Sequence, residues 1–300
     1  MRKTIRKIVI RFLRNRIIWC VIAKSAESIS TGYEWLDALR NFSEEKTLRE
    51  RAIHAAFFEK RQKILSGLTV LNGPFKGMKY PYLKSAGSSI FPKIIGSYEK
   101  ELSEIIAAIL QQDYETIVDI GCAEGYYAIG LGMHMRNAKI FAYDTDEEAL
   151  RLCKEMGDIN GVKVHVGQFC DKDILTNLNI GERALIISDC EGYETKLFDE
   201  ETADCLKHHD LLIESHDMID LGTTRMLLSV FSKTHNCEIV ESIDDIVKAY
   251  TYDYEELNDF TLQERHRLVA EGRTDIMRWI FAKSRHPGRD KVIVNNARNA

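Results

Sequence analysis

From Tyr98 onward the chain alternates short apolar, β-branched runs with helical segments of about ten residues, and no other feature narrows the possible folds as far. Runs at 116–120, 139–143, 163–166, 184–188, 211–214, 237–240 and 277–282 read as seven strands. Segments at 99–111, 126–135, 147–156, near Ile174 and at 223–232 read as the helices between them. Such alternation predicts an α/β fold, a doubly wound and mostly parallel sheet of seven strands. Ligands of these sheets bind outside the carboxyl ends of the strands, where the strand order reverses. Self-similarity at a period of 20 to 50 residues is absent, which excludes solenoids and propellers.

The first 75 residues read as a separate helical extension, with residues 76–300 as the main domain. Residues 1–24 carry eight bases and no acid, and Ile5, Ile8, Val9, Phe12 and Leu13 recur among the bases at helical spacing. The apolar run 17–23 is too short to span a bilayer, which takes about 20 residues. A basic amphipathic helix is therefore expected, either touching an anionic membrane surface or mediating self-association. A charged helix is expected over 44–66, with Leu48, Ala52, Ala56 and Phe57 on a packed side, and a turn-rich hairpin or entry loop around 67–77. The insertion 241–272 is expected to hold a helix and part of a substrate cover. Seven cysteines without a C-x-x-C pair suit reduced thiols in a cytoplasmic protein, free or at the inner face of the membrane. Outside residues 1–24, 33 bases face all 46 acids, a net of −13 that disfavours a nucleic-acid partner.

Three stretches carry the chemistry. The first is Val118-Asp119-Ile120-Gly121-Cys122-Ala123-Glu124-Gly125-Tyr126, which follows a strand and opens a helix, so that free N–H groups meet a polar ligand. A dinucleotide turn would place a third glycine where Ala123 stands. Asp144 follows the second strand about 20 residues on, where a carboxylate accepts hydrogen bonds from both hydroxyls of a ribose. The bland reading of Asp144 is an N-cap for the next helix. The third stretch joins Asp189, Glu191 and Glu194 after the fourth strand with Glu214 and His216 at the end of the fifth. Asp189, His216 and Glu191 are the expected catalytic groups, able to hold or remove the proton of a substrate hydroxyl. The bland reading of Glu191 and Glu194 is that they cap and solvate the following helix, with Glu214 satisfied internally. Two acids and a histidine also suit a divalent metal, although their spacing alone does not call for one.

These residues resemble the FkbM-like family of S-adenosylmethionine-dependent methyltransferases. The resemblance rests on Gly96-Ser97-Tyr98-Glu99, on 118–127, on the Asp-Cys-Glu-Gly-Tyr-Glu run 189–194 and on 212–216. It implies a Rossmann-like class I methyltransferase fold that binds S-adenosylmethionine. The amino-acid end of the cofactor would lie at Asp119, Gly121, Cys122, Ala123, Glu124, Gly125 and Tyr126. Asp144 would hold the ribose and Gln168 with Phe169 the adenine, while Tyr98 and Glu99 close over the site. The implied reaction is O-methylation of a small-molecule or carbohydrate acceptor. Ala123-Glu124 stands where the family often has Asn-Ile, and Asp144-Thr145-Asp146 where it often has Glu-Pro-Asn.

Two other readings remain. A nicotinamide-dependent oxidoreductase shares the sheet and the acid after the second strand, but the missing glycine counts against it. A catalytically inactive scaffold of the same fold is opposed by the retention of Asp119, Asp144, Asp189 and His216.

Overall fold

The computed structural model describes residues 29–286, with side chains from Arg40 onward apart from those of Glu44 and Glu45. The basic segment 1–24 lies outside the described residues. The chain divides into two compact units between Lys60 and Arg61, ahead of the boundary at residue 75 expected from the sequence. Helix α1 is Ile29–Leu65. The packed side expected on it is not found, since Leu48, Ala52 and Ala56 are exposed and only Phe57 is half-buried. Among the described residues no helix is long and apolar enough to cross a membrane.

In the second unit, residues 67–80 form the expected hairpin, paired through Thr69 and Lys79, with Val70, Phe75, Met78 and Tyr80 buried. Helix α2 (Ile90–Ile95) and a single 3₁₀ turn precede α3 (Ser103–Leu110). The strands and helices then alternate: β1 (Thr116–Ile120), α4 (Tyr126–His134), β2 (Lys139–Tyr143), α5 (Glu147–Asn160), β3 (Val164–Gly167), α6 (Lys172–Asn177) and β4 (Ala184–Ser188). Short helices α7 (Glu194–Leu197) and α8 (Glu200–Cys205) lead to β5 (Asp210–Ser215), α9 (Thr223–Phe231) and β6 (His235–Glu241). The insertion folds into α10 (Asp245–Thr251) and α11 (Leu262–Val269) before β7 (Arg278–Ser284).

Every residue of β1, β4 and β5 is buried, as expected of central parallel strands covered by helices on both faces. The sheet order is β3-β2-β1-β4-β5-β7-β6, so the direction of progression reverses between β1 and β4. The register aligns Ile120 with Tyr143 and with Ser188, which brings the carboxyl ends of β1, β2 and β4 to one edge. β7 runs antiparallel between β5 and β6, and Ser215 pairs with Arg278. The loop entering β7 therefore arrives at the same edge as the carboxyl end of β5.

At the opposite edge, the His209 Nδ1 accepts a hydrogen bond from the buried Ala184 amide at 3.1 Å. Burial, helped by neighbouring His208, lowers the His209 pKa to about 4, so the ring folds neutral. The unfolded chain takes up this proton near the ordinary histidine pKa. Stability linked to His209 is therefore complete above about pH 6.5 and is lost as pH falls toward 4, by at most about 3 kcal/mol. His209→Asn, which keeps an acceptor for Ala184, should lose that slope in urea titrations across this range. Parallel slopes for the two proteins would refute the assignment.

Candidate active site

The glycine turn sits over the point where the strand order reverses. Gly121 and Cys122 donate backbone hydrogen bonds to the Tyr143 carbonyl at 2.8 and 3.0 Å, locking the turn to the end of β2. Gly125, with φ of 91°, caps α4, and a side chain there would meet Cys153 Sγ at 2.8 Å. The turn opens onto a cavity of about 500 Å³. Tyr98, Asp119, Gly121, Cys122, Ala123 and Tyr126 line it, as do Asp144, Gln168 and Phe169. The catalytic candidates Asp189, Glu191 and His216 line it as well.

Three residues expected at the cofactor lie behind the wall instead. Gly125 is the cap just described. Glu124 is buried against Lys93 Nζ at 2.5 Å and also accepts from Ser85 and the Ala86 amide. Burial alone would raise its pKa, but the Lys93 ammonium outweighs that and holds the carboxyl below its ordinary value. Glu99, in a left-handed backbone conformation, turns its carboxylate into an ion cluster beneath the cavity floor.

Asp144 does not cap α5. Its Oδ2 accepts from the Ala123 amide at 2.8 Å and its Oδ1 from the Asp146 amide at 2.9 Å, while Asp146 caps the helix through Glu148. Each oxygen retains lone-pair capacity toward the cavity, and the carboxylate is held rigidly by the turn it serves. Asp119 accepts from the Ala128 amide at 2.9 Å, and burial lifts its pKa to about 7. Gln168 bonds Glu147, and Phe169 packs edge-on to Tyr193 with centroids 5.2 Å apart, leaving an exposed aromatic face at the cavity rim.

On the far wall His216 is buried and its Nδ1 meets Glu194 Oε1 at 2.5 Å. Glu194 is thus a fully buried partner of the histidine, not the solvent-facing cap expected from the sequence. Burial lowers the histidine's proton affinity, but Glu194 more than offsets this and the pKa rises. The Asp189 pKa stands well above the carboxylate range, through burial first and then through the neighbouring Glu214 carboxylate.

Arg273 was not among the expected site residues. Its guanidinium reaches Glu99 and Glu214, and its Nε lies 3.0 Å from Glu271 Oε2. Glu271 in turn contacts Lys248 Nζ at 2.5 Å and accepts from the Glu99 amide. Burial, opposed by Arg273, leaves the Glu99 pKa near about 8. The only sequence signal for Arg273 was its place four residues before the last expected strand. Its importance follows from β7 being antiparallel, which local patterning does not reveal.

Residues 101–190 match the family model of the methyltransferase small domain. The chain has the class I methyltransferase fold. A precorrin-6Y C5,15-methyltransferase from Geobacter metallireducens is similar in fold, at 15% identity over 61% of this chain and 89% of that one, with a TM-score of 0.41. The O-methyltransferase TomG from Streptomyces achromogenes, in complex with S-adenosylmethionine, aligns at 11% identity over 63% and 82% of the two chains, with a TM-score of 0.42. A putative O-methyltransferase from Klebsiella pneumoniae aligns at 9% identity over the same shares, with a TM-score of 0.41. No curated protein matches by sequence.

Proposed function

We propose that this chain is an S-adenosylmethionine-dependent methyltransferase acting on a hydroxyl oxygen of a sugar or natural-product acceptor, in the manner of the FkbM-like enzymes it resembles. The observation that carries the reading is one cavity with a glycine turn and a rigidly held Asp144 on one wall and Asp189, Glu191 and His216 on the other. The donor set fits the cofactor. Asp144 offers acceptors to two ribose hydroxyls, Phe169 offers an aromatic face to the adenine, and the turn offers a close backbone approach.

When bound, the cofactor would supply an electrophilic methyl group on a sulfonium, whose neutral thioether is the leaving group. The chain's own residues must then align the acceptor oxygen and take its proton. Asp189 suits that role, because burial and then Glu214 hold its proton affinity well above that of an ordinary carboxylate. His216 and Glu191 stand beside it and orient the acceptor.

The reading makes a split prediction. Asp144→Ala should weaken S-adenosylmethionine binding by about 10- to 100-fold, since hydrogen bonds to a charged group contribute about 1.5–3 kcal/mol. His216→Ala should keep that affinity and lose turnover. Calorimetry with S-adenosylmethionine and with NAD, followed by labelled-methyl transfer into fractionated cell extract, checks both. Binding of NAD alone would overturn the reading, and undiminished turnover in the histidine variant would remove His216 from its role.

A further inference from the structure

Among the described residues, three basic side chains line the cavity: Lys93, Arg273 and His216. Arg273 is committed to Glu99, Glu214 and Glu271, and His216 to Glu194. Lys93, from α2, is held by fewer partners. Its side chain is 3% exposed, and its Nζ donates to Glu124 Oε1 at 2.5 Å and to Ser85 Oγ at 3.0 Å. An ammonium carries three N–H donors, so a third remains. The Nζ also lies 4.8 Å from the centre of the Tyr98 ring and 5.5 Å from that of Tyr126. Both tyrosines line the cavity, whereas Glu124 and Ser85 do not. The ammonium is therefore gripped from behind the wall, with its third donor on the cavity side.

Pairing with Glu124 does not by itself account for a lysine at this place. Desolvating two charges costs about as much as their attraction returns, so a buried ion pair is weak support for a fold. Glu124 also accepts from Ser85 Oγ at 2.9 Å, from the Ala86 amide at 3.0 Å and from the Tyr80 hydroxyl at 3.3 Å. Its oxygens are satisfied without the ammonium. Because Glu124 belongs to the glycine turn, Lys93 Nζ stands beside the part of the wall that suits the amino-acid end of the cofactor. That end is a zwitterion. Asp119 and Asp144 on the same wall favour its ammonium and repel its carboxylate. Burial raises the Asp119 pKa, and Lys93 is near enough to oppose that rise. A cation with a donor to spare is thus set beside the acids, where a carboxylate would otherwise be rejected.

We propose that Lys93 Nζ binds the carboxylate of the cofactor's amino-acid end and makes the site selective for S-adenosylmethionine over analogues that lack this group. The inference rests on the methyltransferase reading and adds to it a residue from outside the glycine turn. Hydrogen bonds between an ammonium and a carboxylate are short and strong, and burial of Lys93 under Tyr98 and Tyr126 shields this one from salt.

The test is calorimetry on the full chain with S-adenosylmethionine and with its decarboxylated form, which keeps the adenosine, sulfonium and amine and lacks only the carboxylate. The wild-type chain should prefer S-adenosylmethionine by about 10- to 100-fold, the usual worth of a hydrogen bond to a charged partner. Lys93→Met combined with Glu124→Gln removes both buried charges together, so that neither is left unpaired. This double variant should bring the two affinities together through loss of S-adenosylmethionine binding, with affinity for the decarboxylated form kept. Glu124→Gln alone retains the ammonium and should retain the preference. A preference lost in Glu124→Gln as well, or kept in the double variant, overturns the role of Lys93. Equal binding of the two compounds by the wild-type chain overturns it too, needs no variant to fold, and leaves the methyltransferase reading standing. A chain that binds neither compound overturns that reading and this inference with it.

Discussion

Replacing Arg273 with methionine should destabilise the fold by about 3–5 kcal/mol, the usual cost of removing one partner from a buried ion pair. The guanidinium touches Glu99, Glu214 and Glu271, which come from three distant parts of the chain and whose side chains are all buried. Without it, the lysine or arginine contact that remains to these carboxylates among the described residues is that of Lys248 with Glu271. For a domain of this size the loss corresponds to a fall in Tm of about 6–20 °C. The deficit should shrink as pH falls, because protonated carboxyls no longer need the cation. Glu99, with a pKa of about 8, protonates within that fall. Arg273→Lys should recover only part of the stability, since a point charge cannot span three carboxylates as a planar fork does. Thermal unfolding of the two variants at pH 8 and pH 5 checks this, and an unchanged midpoint in Arg273→Met would show that the cluster does not hold the cavity floor.

Arg273 also marks where sequence reasoning stops. Strands 116–120 and 184–188 could be read residue for residue, because burial on both faces leaves short, largely apolar runs with no competing helical period, and 139–143 was legible as well although Lys139 is exposed and Phe141 half-buried. The turn and Asp144 were legible because their backbone geometry is local. Asp144's actual partners were not, since the Ala123 amide comes to it across the β1–β2 pairing. Glu194 looked like a solvent-facing cap because the four residues of α7 contain nothing to show that β5 delivers His216 against it. In the same way, the apolar positions of α1 have helical spacing, yet Leu48 and Ile53 are exposed. Periodicity reports a helix and does not report what covers it.

Gly121→Ala should be the most damaging small substitution in the site. Gly121 has φ of 81°, and a Cβ there would lie 1.7 Å from the Asp189 carbonyl oxygen and 2.7 Å from its carbon. That obstacle is backbone held in register, for the Asp189 amide donates to the Ile120 carbonyl at 2.8 Å. Accommodation therefore requires the end of β4 to move away from β1. The left-handed backbone costs about 1–2 kcal/mol for a residue with a side chain, and overpacking adds about 1–3 kcal/mol. The displacement also carries Asp189 off His216, so cofactor binding and turnover should fall together. Gly125→Ala has a comparable backbone strain but meets the Cys153 side chain at 2.8 Å, which can rotate away, and its effect should stay with the cofactor. If Gly121→Ala lost cofactor affinity yet kept wild-type turnover at saturating cofactor, the two walls of the cavity would be independent. Joint loss is the expected result, because this single contact sets the distance between the turn that would hold the cofactor and the carboxylate that would meet the acceptor.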